Sequence, residues 1–238
     1  NYPNTTLLVC AVEQFPIVTR ILITSGPTRQ FLDPVRYLTN ASSGRMGSAL
    51  AAAVIELGYE VVVVSGPVDV AYPAEAKVVP VLSTEDMLDA CIREFPACDG
   101  LIGAAAPCDY RPVKCHPQKI SKTGSPVQLT LMETPDVVAT IGAQKRPDQW
   151  VVGFALETQD PRFRAIVKLE KKRCDLIVLN GPEAMNSSTN QVEILDPEGR
   201  VVVKLEGTKE RVATGILQQI RRSLLAPQRS HDERDQTV

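Results

Sequence analysis

Glu60 to Val64 reads Glu-Val-Val-Val-Val, with no polar alternation. A strand with one wet face alternates apolar and polar residues. A continuous β-branched run is instead buried on both faces, as in parallel sheets covered by helices. The strand predicted at 20–25 (Ile21-Leu22-Ile23-Thr24-Ser25), Gly100 to Ala106, Trp150 to Phe154 and Asp175 to Asn180 have the same buried character. Helical segments fall between them. An Ala-rich helix over 45–57 stops at Gly58, a natural C′ residue. Ser83 or Thr84 caps a helix to about Phe95, and Thr134 caps one running from Pro135 to Gly142. A helix spans Arg162 to Arg173, with Phe163, Ile166, Val167 and Leu169 as its apolar residues, and the last spans Thr208 to Leu225. Lys77 to Val81 is a short strand, and Gln191 to Leu195 pairs with Arg200 to Leu205 around an Asp196-Pro197-Glu198-Gly199 turn. Alternating β and α units predict an α/β, doubly wound, mostly parallel sheet with ligands beyond the carboxyl ends of its strands.

One stretch breaks the alternation. Pro107, Pro112, Pro117 and Pro126 forbid a long helix over 107–126, and Gln128 to Met132 alternates like an exposed strand. Residues 107–133 therefore read as an arm leaving the main sheet. The domain itself is expected at 20–225, after a lead-in at 1–19 and before a polar, disordered tail at 226–238. A chain of 238 residues can bury one large α/β core. Its net charge of −2 argues against a general nucleic-acid binder. No apolar run approaches the roughly 18–20 residues of a membrane span, and no signal peptide is visible, so a cytoplasmic location is expected. Cys10, Cys91, Cys98, Cys108, Cys115 and Cys174 form no C-x-x-C pair and read as free thiols. Cys108, Cys115 and His116 lack a fourth ligand, so no metal site is assigned.

The chemistry gathers at strand ends. Gly26 and Gly44 bracket a long loop that carries Arg36 and Asn40 and finishes in Ser42-Ser43-Gly44 before the Ala-rich helix. Free N–H groups of a helix start, hydroxyls and a glycine that lets the backbone come close suit a phosphate. A dinucleotide turn is short and reads G-x-G-x-x-G; this one is enlarged as if for a second substrate. Gly103-Ala104-Ala105-Ala106 offers small residues against which a flat ligand can lie, with Asp109 placed to accept from ribose hydroxyls or simply to cap a turn. Tyr110 and Lys114 match the Y-x-x-x-K of short-chain dehydrogenases, but Pro112 between them denies the helix that pair needs. Lys119 and Lys122 on the arm can neutralise a leaving pyrophosphate or be ordinary solvated lysines. Phe154 can stack on a base or sit in the core. Lys168 and Lys172, four residues apart on one helix, can reach phosphates or form a solvated face. Asn180 ends a strand with an amide. The chain has two histidines and no G-x-S-x-G, Walker A lysine or H-E-x-x-H, so positioning and electrostatics carry the chemistry rather than a nucleophile.

As an ordered set these motifs resemble phosphopantothenoylcysteine synthetase, the ligase half of the bifunctional coenzyme A biosynthesis flavoproteins of bacteria. The resemblance runs from about Arg20 to Leu225. It rests on Gly26-Pro27-Thr28-Arg29, Asp33-Pro34-Val35-Arg36-Tyr37, Asn40 with Ser42 to Gly47, Asp109-Tyr110-Arg111, Lys119 to Lys122, Pro135-Asp136, Gly153-Phe154-Ala155 and Asp175-Leu176-Ile177. It implies a Rossmann-like sheet and a CTP-dependent joining of 4′-phosphopantothenate to cysteine through an acyl-cytidylate. It further implies that Asn40 contacts the intermediate and Lys119 serves the phosphates. Gly26, Ser42, Ser43, Gly44, Gly103, Ala104, Ala105, Asp109, Pro135, Asp136, Val137, Val138, Phe154, Lys168 and Lys172 would line the nucleotide site. Arg36, Ala106 and Asn180 would face phosphopantothenate. Magnesium would come with CTP, no flavin is expected in this chain, and the arm would cross to a partner in a homodimer. A decarboxylase can be fused upstream.

Two positions depart from the pattern. Ser121 stands where the lysine loop usually carries another lysine, and Pro107-Cys108 replaces a small apolar pair. Two other classes stay open. A nicotinamide-dependent reductase would need an acidic residue after the second strand, where Ser65-Gly66-Pro67 stands instead. A non-catalytic nucleotide-binding domain would bind CTP and release no pyrophosphate.

Overall fold

The structure is a computed structural model that describes residues 18–156, 159–181 and 189–225. Nearly all of the lead-in, the tail at 226–238 and Glu157-Thr158 lie outside them. In chain order the elements are β1 (Arg20–Ser25), β2 (Arg29–Phe31), β3 (Tyr37–Thr39), α1 (Arg45–Glu56), β4 (Glu60–Ser65) and β5 (Lys77–Pro80). Then come α2 (Thr84–Glu94), β6 (Gly100–Gly103), β7 (Tyr110–Pro112), β8 (Leu131–Glu133), α3 (Val137–Gln144) and β9 (Trp150–Leu156). The last are α4 (Pro161–Lys171), β10 (Leu176–Asn180), β11 (Thr189–Leu195), β12 (Val201–Thr208) and α5 (Lys209–Ile220).

Eight strands form one sheet in the order β12-β11-β10-β9-β6-β1-β4-β5. β5, β4, β1, β6, β9 and β10 are parallel, and β11 and β12 add an antiparallel edge. This is the α/β, Rossmann-like, mostly parallel sheet. From β1 the chain moves outward to β4 and β5, then crosses back to β6 on the other side. The strand order therefore reverses between β1 and β6, which places a crevice there.

Alternation along β1 divides the core. Ile21 and Ile23 point to one face with Val61 and Val63, against Leu50 and Val54 of α1 and Ile216 and Ile220 of α5. Leu22 points to the other with Leu101, Val151 and Ile177, against Met87 and Ala90 of α2, Ile141 of α3 and Ala165 and Leu169 of α4. All four β1 and β4 isoleucine and valine positions on the first face are at most 3% exposed, as a strand covered on both faces requires.

Several boundaries differ from expectation for physical reasons. α3 is capped by Asp136, whose side chain accepts from Ala139 N at 3.0 Å, and not by Thr134. The Thr134 hydroxyl instead donates to Cys108 O at 2.6 Å, so a tertiary carbonyl captures the cap residue. α2 is capped by Ser83 in a capping box with Asp86. α4 begins at Pro161 and buries only Ala165 and Leu169; Phe163 is 69% exposed, and Ile166 and Val167 also face outward. Thr208 caps α5, which ends at Ile220, with a π turn over Arg221–Leu225. The arm strand lies at Leu131–Glu133 rather than from Gln128, and pairs antiparallel with Tyr110–Pro112. Tyr110 is thus on a strand, which rules out a helical Tyr110–Lys114 pair. The loop between β1 and α1 contains an unexpected hairpin: β2 and β3 pair through Arg29↔Thr39, Gln30↔Leu38 and Phe31↔Tyr37.

Candidate active site

At the switch point the chain is zipped by backbone. Ala104 N donates to Thr24 O at 3.2 Å and Ala106 N to Gly26 O at 2.9 Å, and Pro27 and Ala106 form a parallel bridge. Ala105 N donates to the Thr24 hydroxyl at 3.3 Å. This brings Gly26 beside Ala104, Ala105 and Ala106, as small residues at two neighbouring strand ends allow. Gly103 is buried, and a Cβ there would lie 2.6 Å from Val138 Cγ2, so the glycine admits α3 close to β6.

α1 starts at Gly44, in the left-handed region at φ +73° and without a side-chain cap. A helix start without a side-chain cap is one that an anion can serve. A Cβ on Gly47 would lie 2.0 Å from Ser25 Oγ, so the first turn of α1 sits against the end of β1. Ser42, Ser43, Asn40 and Ala41 line an open cleft of about 280 Å³ with Pro27, Arg29, Tyr37, Thr39 and Pro67. Its wall is the β2–β3 hairpin, where Arg29 stacks 4.5 Å over the Tyr37 ring. At the end of β4, Ser65 shares a hydrogen bond with Tyr72.

Asn40 is exposed, and its Nδ2 donates to Ala106 O at 3.3 Å and Pro107 O at 2.8 Å. Two expected substrate residues, Asn40 and Ala106, thus meet at the crevice mouth. Beneath them lies a buried polar knot. Thr28 and Thr84 hydroxyls are 2.8 Å apart, Cys108 N donates to Thr28 Oγ1 at 2.8 Å, and Thr84 Oγ1 donates to Cys108 O at 3.1 Å. The Cys108 thiol lies 3.4 Å from both Thr28 O and Leu38 O. It is 4% exposed, and burial pushes its pKa up. Cys108 is therefore a structural residue tying arm, hairpin and α2 together. Cys91, Cys98, Cys108 and Cys174 are buried free thiols and Cys115 an exposed one.

Arg36, also expected on the substrate side, pairs with Asp33 at 2.6 Å and donates from NH2 to Ile120 O at 2.5 Å. This brings it to the lysine loop, where Lys119 and Lys122 are exposed. Asp109 is exposed, and its carbonyl accepts from Thr134 N at 2.9 Å, which sets it near Pro135. Asp136 lies 3.1 Å from Lys172, so that lysine already has a carboxylate. Val137 is 3% exposed and belongs to the core, which leaves almost none of it for a ligand. Val138 and Phe154 are partly buried against the core clusters. Lys168 is half-buried on α4.

Asn180 ends β10, and its Oδ1 is buried without a hydrogen-bond partner among the described residues. An orphaned buried acceptor is costly and points to a missing donor. β10 and β1 are three strand spacings apart, so Asn180 and the α1 loop stand ~14 Å apart across the strand ends.

The residues missed by sequence reading are Thr28 and Thr84. Nothing in a lone threonine signals a buried pair. Asp33 had a readable local signal, since Asp-Pro-x-Arg is a turn whose aspartate accepts from the following backbone.

An enlarged loop before α1, a switch-point crevice and an arm that leaves the sheet define a Rossmann-like α/β domain of the kind that takes ligands at its strand ends. Residues 18–224 match the DNA/pantothenate metabolism flavoprotein C-terminal domain, and the chain belongs to that family. The coenzyme A biosynthesis bifunctional protein CoaBC of Vibrio vulnificus strain YJ016 is 40% identical over 224 residues, 90% of this chain and 56% of that protein. The same-named protein of Escherichia coli K12 is 37% identical over 227 residues, again 90% and 56%. This chain spans about half the length of these curated relatives. The crystal structure of the C-terminal domain of a CoaBC superposes with a TM-score of 0.75 at 38% identity, covering 87% of this chain and 96% of that one. The DNA/pantothenate metabolism flavoprotein from Streptococcus pneumoniae, 24% identical with a TM-score of 0.74, shares the fold. Among the described residues no helix is long and apolar enough to cross a membrane.

Proposed function

We propose that this domain is a phosphopantothenate–cysteine ligase of coenzyme A biosynthesis that uses CTP. The observation that carries the reading is the Asn40 amide, anchored on Ala106 and Pro107 carbonyls from 66 and 67 residues away at the mouth of the crevice. In this reading the carboxylate of 4′-phosphopantothenate attacks the α-phosphorus of CTP. A C–O–P linkage forms and pyrophosphate leaves with the electron pair of the broken P–O bond. The amine of cysteine then attacks the acyl carbon, loses a proton, and CMP departs as the amide forms.

This chain's residues supply positioning and charge. The α1 start with Ser42, Ser43 and Gly44 takes phosphate oxygens, and Asp109 accepts from the ribose. Lys119 and Lys122 offset charge on the departing pyrophosphate. The exposed Asn40 Nδ2, which spans the Ala106 and Pro107 carbonyls in the open crevice, would exchange its longer bond, to Ala106 O, for an oxygen of the acyl phosphate. Asn180, with its unpaired acceptor, would take a donor of the pantetheine chain. Magnesium carried on the triphosphate would supply charge neutralisation. Among the described residues no group of three His, Cys, Asp or Glu side chains is placed for a metal, and an ion held mainly by phosphates and water does not require one. Dimerisation through the arm, with exposed Tyr110, Val113, Leu131 and Met132, a cytoplasmic setting and a decarboxylase fused upstream belong to the same proposal.

Asn40→Asp tests it. The variant should still bind CTP, yet kcat for the amide should fall by about 100-fold, a loss typical of removing one donor to a developing anion. Wild-type turnover in Asn40→Asp would remove Asn40 from the mechanism.

A further inference from the structure

Asp33 does more than close a local turn. Its side chain is fully buried. Oδ1 accepts from Val35 N at 2.8 Å and Arg36 N at 2.9 Å, which completes the turn. Oδ2 is thereby left for other partners, and it accepts from Arg36 Nε at 2.9 Å and from Ile120 N at 3.1 Å, 87 residues along the chain. Arg36 NH2 in turn donates to Ile120 O at 2.5 Å. The N–H and the C=O of Ile120, next to Lys119 and two residues before Lys122, are thus both held by one ion pair.

Little else holds this segment. Among the described residues, 113–130 form no helix or strand. Its other backbone hydrogen bonds are His116 N to Leu32 O at 2.8 Å, which reaches the body, and Val113 N to Thr130 O at 3.0 Å, which stays within the arm. Burial pushes the Asp33 carboxyl up, but the N–H donors of Val35, Ile120 and Arg36 and the Arg36 guanidinium outweigh it and hold the group well below the usual carboxylate range. The latch is therefore anionic at any ordinary pH.

We infer that Asp33 is a positioning residue that locks the lysine loop to Arg36, so that the cations facing the two substrates are set as one unit. The substrate assignments rest on the ligase reading; the latch does not. Because Arg36 serves both Asp33 and Ile120, a ligand anion at Arg36 and one at Lys119 must affect each other's affinity reciprocally.

Asp33→Asn keeps an acceptor for the turn but sets an NH2 against the Ile120 and Arg36 donors. Backbone hydrogen exchange at 118–122 should quicken by about 10- to 100-fold, the range for losing a hydrogen bond to a charged group. The kcat should fall by a similar factor. CTP affinity measured with and without saturating phosphopantothenate should lose its coupling, which a lower folded fraction would not alter. Ile120→Pro removes that N–H while leaving the Asp33–Arg36 turn intact, and also fixes φ at 120 and confines Lys119 to extended backbone. It should reproduce the kcat and coupling losses even if Asp33→Asn folds poorly. Unchanged exchange at 118–122 in folded Asp33→Asn, or full activity and coupling in Ile120→Pro, would overturn the inference. If the unaltered chain shows no CTP-dependent turnover, the ligase reading fails, and the exchange result alone decides the latch.

Discussion

The sheet and the crevice are held by different forces. Between β4 and β10 the chain is joined by apolar burial: Ile21, Leu22, Ile23, Leu50 and Leu101 are all 0% exposed. Around the crevice the backbone zips Thr24 and Gly26 to Ala104 and Ala106, and side chains tie the loops to backbone: Asn40 to Ala106 and Pro107, Asp33 to Ile120, Thr28 to Cys108. Apolar burial is non-directional and sums over area, so it sets stability and tolerates volume-conserving exchange. Directed hydrogen bonds contribute less each but fix where a group points. The difference teaches that stability and chemistry should respond to separate sets of mutations.

The largest break should come from the sheet. Leu50→Ala removes a fully buried side chain between α1 and β1 and should cost about 2–5 kcal/mol, read from the denaturant midpoint. Activity per folded molecule should stay near wild type. A smaller stability loss is expected from Thr28→Val, which keeps the shape but removes the hydroxyl that joins Thr84 and Cys108 N. The cost should be about 1–3 kcal/mol, and here activity per folded molecule should drop, with Thr28→Ser restoring it. If Leu50→Ala and Thr28→Val lowered activity only in proportion to unfolding, the two regions would not differ as argued. The smallest effect should arise at the far edge. Glu193 on β11 is held down at about 2 by hydrogen bonds from Arg162 and Lys204. A depressed carboxylate stabilises above its unfolded pKa and loses that contribution as pH falls toward its folded value. Glu193→Gln should therefore differ from wild type at neutral pH and converge with it near pH 2, in a pH-resolved melting series with no change in turnover.

The same division explains what was legible. Strands at 20–25, 60–64 and 175–180 announce themselves because a buried parallel strand leaves a continuous apolar run. The hairpin of β2 and β3 does not: three-residue strands leave no period, and their pairing depends on the aromatic contact of Phe31 with Tyr37, 5.4 Å apart. Thr134 and Asp136 are both good caps, and only the position of Cys108 O decides between them. The apolar residues of α4 misled because Phe163, Ile166 and Val167 face outward while small Ala165 meets the sheet. At the site, the resemblance in motif order singled out Asn40, Ala106, Arg36 and Lys119 as candidates. It could not reveal that a carbonyl anchor joins the first two and that Asp33 joins the others, because those ties run between residues 66 to 87 apart.

Pyrophosphate release from CTP with magnesium and 4′-phosphopantothenate, with and without cysteine and with ATP in parallel, tests the central claim most directly. The account predicts release that depends on CTP and phosphopantothenate, with CMP and the cysteine amide formed only when cysteine is added, and loss of nearly all of it in Lys119→Gln. No release with either nucleotide from the folded chain, or full release in Lys119→Gln, would contradict it.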